Sequence, residues 1–220
     1  MKLPEIIAQD CLLVSQAVGD LSGQVHPKEQ AMARRFGSAS RLAEFTAARR
    51  AAQTAMCEAG YPPLPLGKGP SGQPLWPLGQ TASLAHTDQW AACLIAKRHR
   101  PLIGLGLDFE SNRRIINQRT AEGVLSKQEQ SLILGPGDLL ATFCIKEALF
   151  KCLHPLGQVW FGFKDARLVA LEPERFAIEL LVQVWPGKTL PTIATGRLIR
   201  TEQHLWALIG LKENLNWAWE

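Results

Sequence analysis

No apolar run in the 220 residues approaches the roughly 20 that cross a bilayer. The amino end carries Lys2, Glu5 and Asp10 and lacks the apolar stretch of a secretion signal. Membrane insertion and secretion are therefore not expected, and a cytoplasmic location is. The five cysteines, Cys11, Cys57, Cys93, Cys144 and Cys152, are odd in number, scattered and never spaced C-x-x-C. That argues against a disulfide framework and against a zinc or redox pair, so they read as reduced core thiols. Solenoid-period repeats and low-complexity tracts are missing too. So is a strong charge of one sign: 24 basic against 20 acidic residues leave a net charge of +4. The arginine pairs Arg34-Arg35, Arg49-Arg50 and Arg113-Arg114 are dispersed, with no aromatic residues between them to stack bases. Nucleic-acid binding is not expected; the mild basicity suits an acidic protein partner.

What is present is enough apolar sequence, 46% of residues, to bury a sizeable core in one large domain or two small packed halves. Ser40 to Glu58, rich in Ala, Arg and Glu with Leu42, Phe45 and Arg49 at helical spacing, predicts a helix with one basic edge. Pro and Gly crowd Tyr61 to Gly79, which reads as a long ordered loop. The apolar runs Trp90 to Ala96 and Leu102 to Phe109, separated by the polar turn Lys97 to Pro101, read as strands of one sheet. Asp138 to Leu153 reads as a helix with Asp138 as its N-cap and His154-Pro155 at its end. Short alternating stretches such as Ala177 to Val184 and Leu205 to Leu211 make the remainder strand-rich. The fold class expected is α/β (α+β) in two similar halves, residues 1–103 and 104–220.

Asp108 and Glu110 lie two apart at the end of an apolar strand, so both side chains share a face and repel unless a cation sits with them. A hard divalent cation suits such oxygen ligands. On the later helix, Phe143, Glu147 and Lys151 recur at i, i+4 along one face, which offers a third carboxylate. Spacing alone favours the plainer readings, a polar strand terminus and an ordinary surface ion pair of about 0.3–0.5 kcal/mol.

The order and identity of several segments decide between these readings. Gly104-Leu-Gly-Leu-Asp-Phe-Glu110, followed by Phe143-Cys-Ile-Lys-Glu-Ala-Leu-Phe-Lys151, resembles the G-x-D-x-E and W-x-x-K-E-x-x-x-K signatures of the 4′-phosphopantetheinyl transferase superfamily. Leu125-Ser-Lys-Gln-Glu129 resembles the family's F-S-x-x-E segment, and Ser83-Leu-Ala-His86 its coenzyme A-binding S-x-S-H or S-x-T-H. Glu44-Phe-Thr-Ala-Ala-Arg49 and Lys68-Gly-Pro-Ser-Gly-Gln-Pro-Leu-Trp-Pro77 resemble elements of the subgroup that includes the enterobactin synthetase component D enzymes. Phe143 stands where the family has Trp, Leu125 where it has Phe, Ala85 where a hydroxyl is usual and Ser71 where a second basic residue is often found.

The resemblance implies a monomer of two pseudo-symmetric halves, each a small sheet with a long helix, and an active site in the cleft between them. It implies transfer of the 4′-phosphopantetheine arm of coenzyme A to a serine of an apo acyl, peptidyl or aryl carrier protein, with 3′,5′-ADP leaving. Asp108, Glu110 and Glu147 would hold Mg²⁺, with Mn²⁺ equally acceptable to three carboxylates. Glu147 or Glu129 would be the base, and Lys146 and Lys151 would face phosphates. Arg49, Lys68, Ser83, His86 and Arg41 would bind coenzyme A, Trp76 and Pro77 would pack the loop, and a serine at Ala85 would tighten cofactor binding. The subgroup leans toward secondary metabolism, siderophore assembly included. The competing reading is a non-catalytic relative that still binds coenzyme A or a carrier.

Overall fold

The computed structural model describes residues 9–19, 25–34, 36–100 and 102–219; Lys2, Glu5, Arg35 and Pro101 lie outside the described residues. The chain divides into two compact units, Met1–Arg100 and Pro101–Glu220.

The first unit is built on the helix α2, Ala39–Glu58, which follows a short helix α1, Pro27–Ala33. Ser38 caps α2, its hydroxyl accepting from the Arg41 amide at 3.2 Å. The inward face of α2 is made of Ala47, Ala48, Ala51, Ala52, Ala55 and Met56, while Leu42 is exposed, so small side chains rather than the predicted Leu42–Phe45 stripe set the helix against its sheet. That antiparallel sheet has the order β1-β5-β4, from β1 (Cys11–Ala17), β4 (Ala82–His86) and β5 (Trp90–Ala96). Within the expected loop Tyr61 to Gly79 the chain forms a miniature hairpin, β2 (Gly67–Lys68) against β3 (Pro74–Leu75), with Gly72 turning at φ 87°. Trp76 packs on the core of Met56, Leu66, Cys93 and Ile95.

The second unit is a five-stranded antiparallel sheet with the order β6-β10-β9-β8-β7. Its strands are β6 (Leu102–Ser111), β7 (Ala166–Leu171), β8 (Arg175–Leu180), β9 (Ile193–Arg200) and β10 (His204–Lys212). The expectation that Trp90–Ala96 and Leu102–Phe109 share a sheet is overturned: β1 and β4 occupy both sides of β5, and β6 pairs with β10, far along the chain. Helix α3 (Gln118–Val124) and a 3₁₀ helix (Lys127–Leu132) lead to the long helix α4, Pro136–Gly157. Its N-cap is Gly135, not Asp138; with Pro136 already in the first turn, Asp138 instead accepts from the Leu134 amide at 3.0 Å. The helix also runs through His154-Pro155, ending where Gln158 turns left-handed at φ 53°. Cys11, Cys93, Cys144 and Cys152 are buried free thiols as expected, whereas Cys57 is exposed.

Helix α4 lies against β6 and β10, burying Ile145, Leu149 and Leu153. Two glycines of β6 set this distance. A Cβ on Gly106 would stand 1.9 Å from the Ala148 carbonyl oxygen, and one on Gly104 would stand 3.1 Å from that of Cys152. Two strand residues advance about 6.6 Å and four helix residues about 6 Å, so each step along β6 meets the previous turn of α4. The next strand position in that series is Asp108, beside Cys144. We predict that Gly106→Ala lowers unfolding free energy by about 1–3 kcal/mol, because backbone rather than a flexible side chain must move, measurable by urea denaturation.

Candidate active site

In the second unit the end of β6 brings Asp108 and Glu110 to the face of α4 that carries Glu147 and Lys151. The Lys151 ammonium donates to Asp108 Oδ1 at 2.6 Å. Asp108 Oδ2 is buried with no nitrogen or oxygen donor on it, which is uncommon for an interior carboxyl oxygen; the Cys144 thiol is the polar group beside this side chain. Cys144 lies close enough that its thiol, already raised by burial, is pushed further up by the Asp108 charge. Glu110 is engaged by Arg114, whose guanidinium carbon also lies 4.6 Å above the Phe143 ring. Phe143 thus serves as an apolar platform for a cation at the position where the family pattern has Trp. Half-buried Glu147 has its carboxyl held above the ordinary 4.5: burial raises it, Lys151 pulls it back, and Asp108 pushes it up again.

Beside Glu147 opens a cavity of about 230 Å³ lined by Lys146, Phe150, Trp160, Phe161, Phe163 and Ala166 among others. Phe150 meets Phe161 at 5.2 Å and Trp160 edge-on at 4.9 Å, while Trp160 remains 73% exposed. A carboxylate, Glu147, on the wall of an otherwise apolar cavity suits a substrate with a charged end and a chain of low polarity.

Glu129 and Lys146 are placed differently from these. Both are buried, and they form an ion pair of 2.7 Å in the interior. Burial alone would raise the Glu129 carboxyl, but hydrogen bonds from Lys146 and from the Leu168 and Ser126 amides hold it below its ordinary range.

In the first unit Arg49 is also buried, facing Glu29 at 3.6 Å and lying 4.6 Å from the Phe45 ring centroid. Burial pulls the guanidinium down and Glu29 partly restores it. Fully buried Glu29 accepts from Gln53 Nε2 at 2.6 Å and from the Leu66 amide at 2.9 Å. Lys68 is exposed on β2, 5.9 Å from the Phe36 ring, which itself packs on Phe45 at 5.1 Å. Glu44 faces both Arg41 at 3.4 Å and His86 Nδ1 at 3.7 Å. Strand alternation sends Ser83 and Ala85 to one face of β4 and His86 to the other. Ser83 and Ala85 are both buried.

The sequence reading did not single out Glu29, and it quoted Glu44 and Arg114 only within a subgroup motif and a dispersed arginine pair, without a role. Arg114 at i+4 from Glu110 was available as a pair signal, whereas nothing near Glu29 announces a partner on another helix.

The three carboxylates are oxygen donors of the kind a hard cation takes, and Asp108 Oδ2, with no nitrogen or oxygen donor on it, is an acceptor such an ion would satisfy. Among the described residues no group of three or more His, Cys, Asp or Glu is already gathered around a metal position; Lys151 and Arg114 neutralise Asp108 and Glu110 instead. Because Glu147 binds its proton more tightly folded than unfolded, ionising it costs stability progressively as pH rises above 4.5. In metal-free buffer Glu147→Gln should therefore unfold at a higher denaturant midpoint than wild type at about pH 7.5, the difference shrinking toward zero near about pH 4.

Two family models match the chain: the 4′-phosphopantetheinyl transferase N-terminal domain over residues 28–96 and the 4′-phosphopantetheinyl transferase superfamily over residues 104–202. Among curated relatives, the 4′-phosphopantetheinyl transferase Npt of Nocardia iowensis is 32% identical over 66% of this chain and 66% of its own. The 4′-phosphopantetheinyl transferase PptT of Mycobacterium tuberculosis is 30% identical over 76% of this chain and 74% of its own. Enterobactin synthase component D of Salmonella typhimurium is 30% identical over 67% of this chain and 62% of its own. Matched in both halves, the chain belongs to the 4′-phosphopantetheinyl transferase superfamily and is a transferase that moves the phosphopantetheine group of coenzyme A to carrier proteins.

Proposed function

We propose that the chain modifies the serine of an apo acyl, peptidyl or aryl carrier protein with Asp108, Glu110, Glu147 and Lys151 as the reacting-centre residues. The observation that carries this reading is the junction of β6 and α4, where Lys151 of the helix meets Asp108 of the strand and Glu147, on the same helix face, borders an apolar cavity. The serine oxygen attacks the phosphorus bearing the pantetheine arm, its proton passes to a base, and the bond to the other phosphate breaks to release 3′,5′-ADP. Mg²⁺ or Mn²⁺ held by Asp108, Glu110 and Glu147 would neutralise charge on the pyrophosphate. Lys151, paired with Asp108, stands ready to compensate phosphate charge once that carboxylate has another partner. Glu147, with its raised proton affinity and its place at the cavity, supports the role of base. The cavity's aromatic wall suits the pantetheine chain.

The N-terminal half, 1–103, would grip the phosphates of coenzyme A through exposed Lys68, His86 and Arg41, with Ser83 and Arg49 acting from the interior. Arg49 supports this through its contacts with Phe45 and Glu29 rather than by reaching a phosphate itself. The half 104–220 would carry the metal and the chemistry. Carriers of siderophore or other secondary-metabolite assembly are favoured by the likeness to enterobactin synthase component D. We place the monomeric enzyme in the cytoplasm, where coenzyme A is found and where Cys57 and its buried counterparts would stay reduced.

The test is to incubate the protein with coenzyme A, a divalent ion and a panel of apo carriers, following carrier mass. A phosphopantetheine-sized gain that disappears without the ion and falls about a hundredfold or more in Asp108→Ala is expected. Coenzyme A binding with no mass gain on any carrier would support the non-catalytic relative instead. Mg²⁺ alone should raise the melting temperature of wild type by a few degrees and leave Asp108→Ala unmoved, since only an ion that binds the native state stabilises it.

A further inference from the structure

Lys146 precedes Glu147 in α4, and it touches more of the second unit than its sequence position suggests. Its ammonium has three protons to donate. They go to Glu129 Oε1 at 2.7 Å, the Val124 carbonyl at 2.8 Å and the Phe163 carbonyl at 2.9 Å. Glu129 in turn accepts from the Leu168 amide through Oε1 and from the Ser126 amide through Oε2, both at 2.7 Å. Five segments meet at this one pair: the end of α3, the 3₁₀ helix, the cavity-lining stretch Phe161–Phe163, β7 and α4. The Lys146 side chain is 1% exposed and that of Glu129 is not exposed at all.

This saturation conflicts with a chemical role. A lysine committed to three acceptors meets a phosphate only by abandoning them, which would leave Glu129 buried and unpaired, a state far costlier than the pair. A carboxylate that already accepts on both oxygens inside the core is not placed to take a proton from a carrier serine, which is a surface group of another protein. The position of the pair does bear on catalysis, since the carbonyl of Phe163 and the backbone next to Glu147 are both tied to it.

We propose that Glu129 and Lys146 form a charge-neutral clamp that positions Glu147 and the aromatic wall of the cavity, and that neither charged group contacts a phosphate or takes the serine proton. The inference rests on the transfer reading above and assigns both residues as positioning residues.

Glu129→Gln, Lys146→Gln and the double variant separate the possibilities by urea midpoint, kcat, KM for coenzyme A and the pH dependence of kcat. Each single change strands one buried charge, so midpoint and kcat should fall together, kcat by about tenfold or more, and any rise in KM should accompany a lowered midpoint. The double variant has no unpaired charge, and the carboxamide introduced in place of the Lys146 ammonium can still donate to a backbone carbonyl. Its kcat should recover to about tenfold above the weaker single variant, and its midpoint should rise with it. The acid limb of the pH profile should survive in every variant that folds. If neither single variant folds, the clamp requires that the double does.

Glu129→Gln with a wild-type midpoint but a lost acid limb would make Glu129 the base. Lys146→Gln with a wild-type midpoint and a raised KM would make Lys146 a phosphate ligand. Either result overturns the clamp, as does a double variant no better than the singles. A wild-type protein that transfers nothing defeats the transfer reading instead, and the coupling between positions 129 and 146 in unfolding midpoints then decides the clamp separately.

Discussion

The second unit depends on how closely a helix can lie on a strand. Where α4 crosses β6, the Ala148 carbonyl occupies the space a side chain at position 106 would need. With that separation fixed, the near match between two strand residues and four helix residues delivers Asp108 to the vicinity of Cys144, Glu147 and Lys151. The glycine of the G-x-D-x-E signature is thus a packing requirement, and the acids that follow it are its chemical consequence. A larger residue would widen the gap and dissolve the site without altering one of its functional groups.

Electrostatics in the two units follow a common pattern with different outcomes. Buried Glu129 and Glu29 are each surrounded by donors, backbone amides among them, and each serves to hold segments together. Asp108 is buried as well, but one of its oxygens is left without a nitrogen or oxygen donor. Interior carboxylates are normally satisfied because desolvation is expensive. The exception is a carboxylate of the G-x-D-x-E signature, whereas Glu129 and Glu29 are satisfied within their own units.

How much of this was legible in the sequence varies with the distance over which each feature is determined. The strand ending in Asp108 and Glu110 and the helix carrying Glu147 and Lys151 follow from local periodicity, and the motif order identified the family. The sheet membership of Trp90–Ala96 and Leu102–Phe109 did not follow, because their sequence proximity says nothing about β10, the partner that β6 takes. Arg49 read as a basic edge because its counterion comes from α1, with no local pattern to reveal it. Glu129 and Lys146 read as chemistry because most of their partners are backbone atoms of Val124, Ser126, Phe163 and Leu168, which no residue type discloses.

The miniature hairpin of the first unit bears on how much ordering its lysine would need on binding an anion. Its root is fixed where the Leu66 amide binds Glu29, and its tip is closed by Gly69 and Gly72, whose amides donate within the turn. Between these fixed points Lys68 has little backbone freedom left to lose. With Lys68 in the anion-binding role proposed above, binding would quiet one side chain, at a cost of up to about 2 kcal/mol, instead of ordering the whole Tyr61–Gly79 segment.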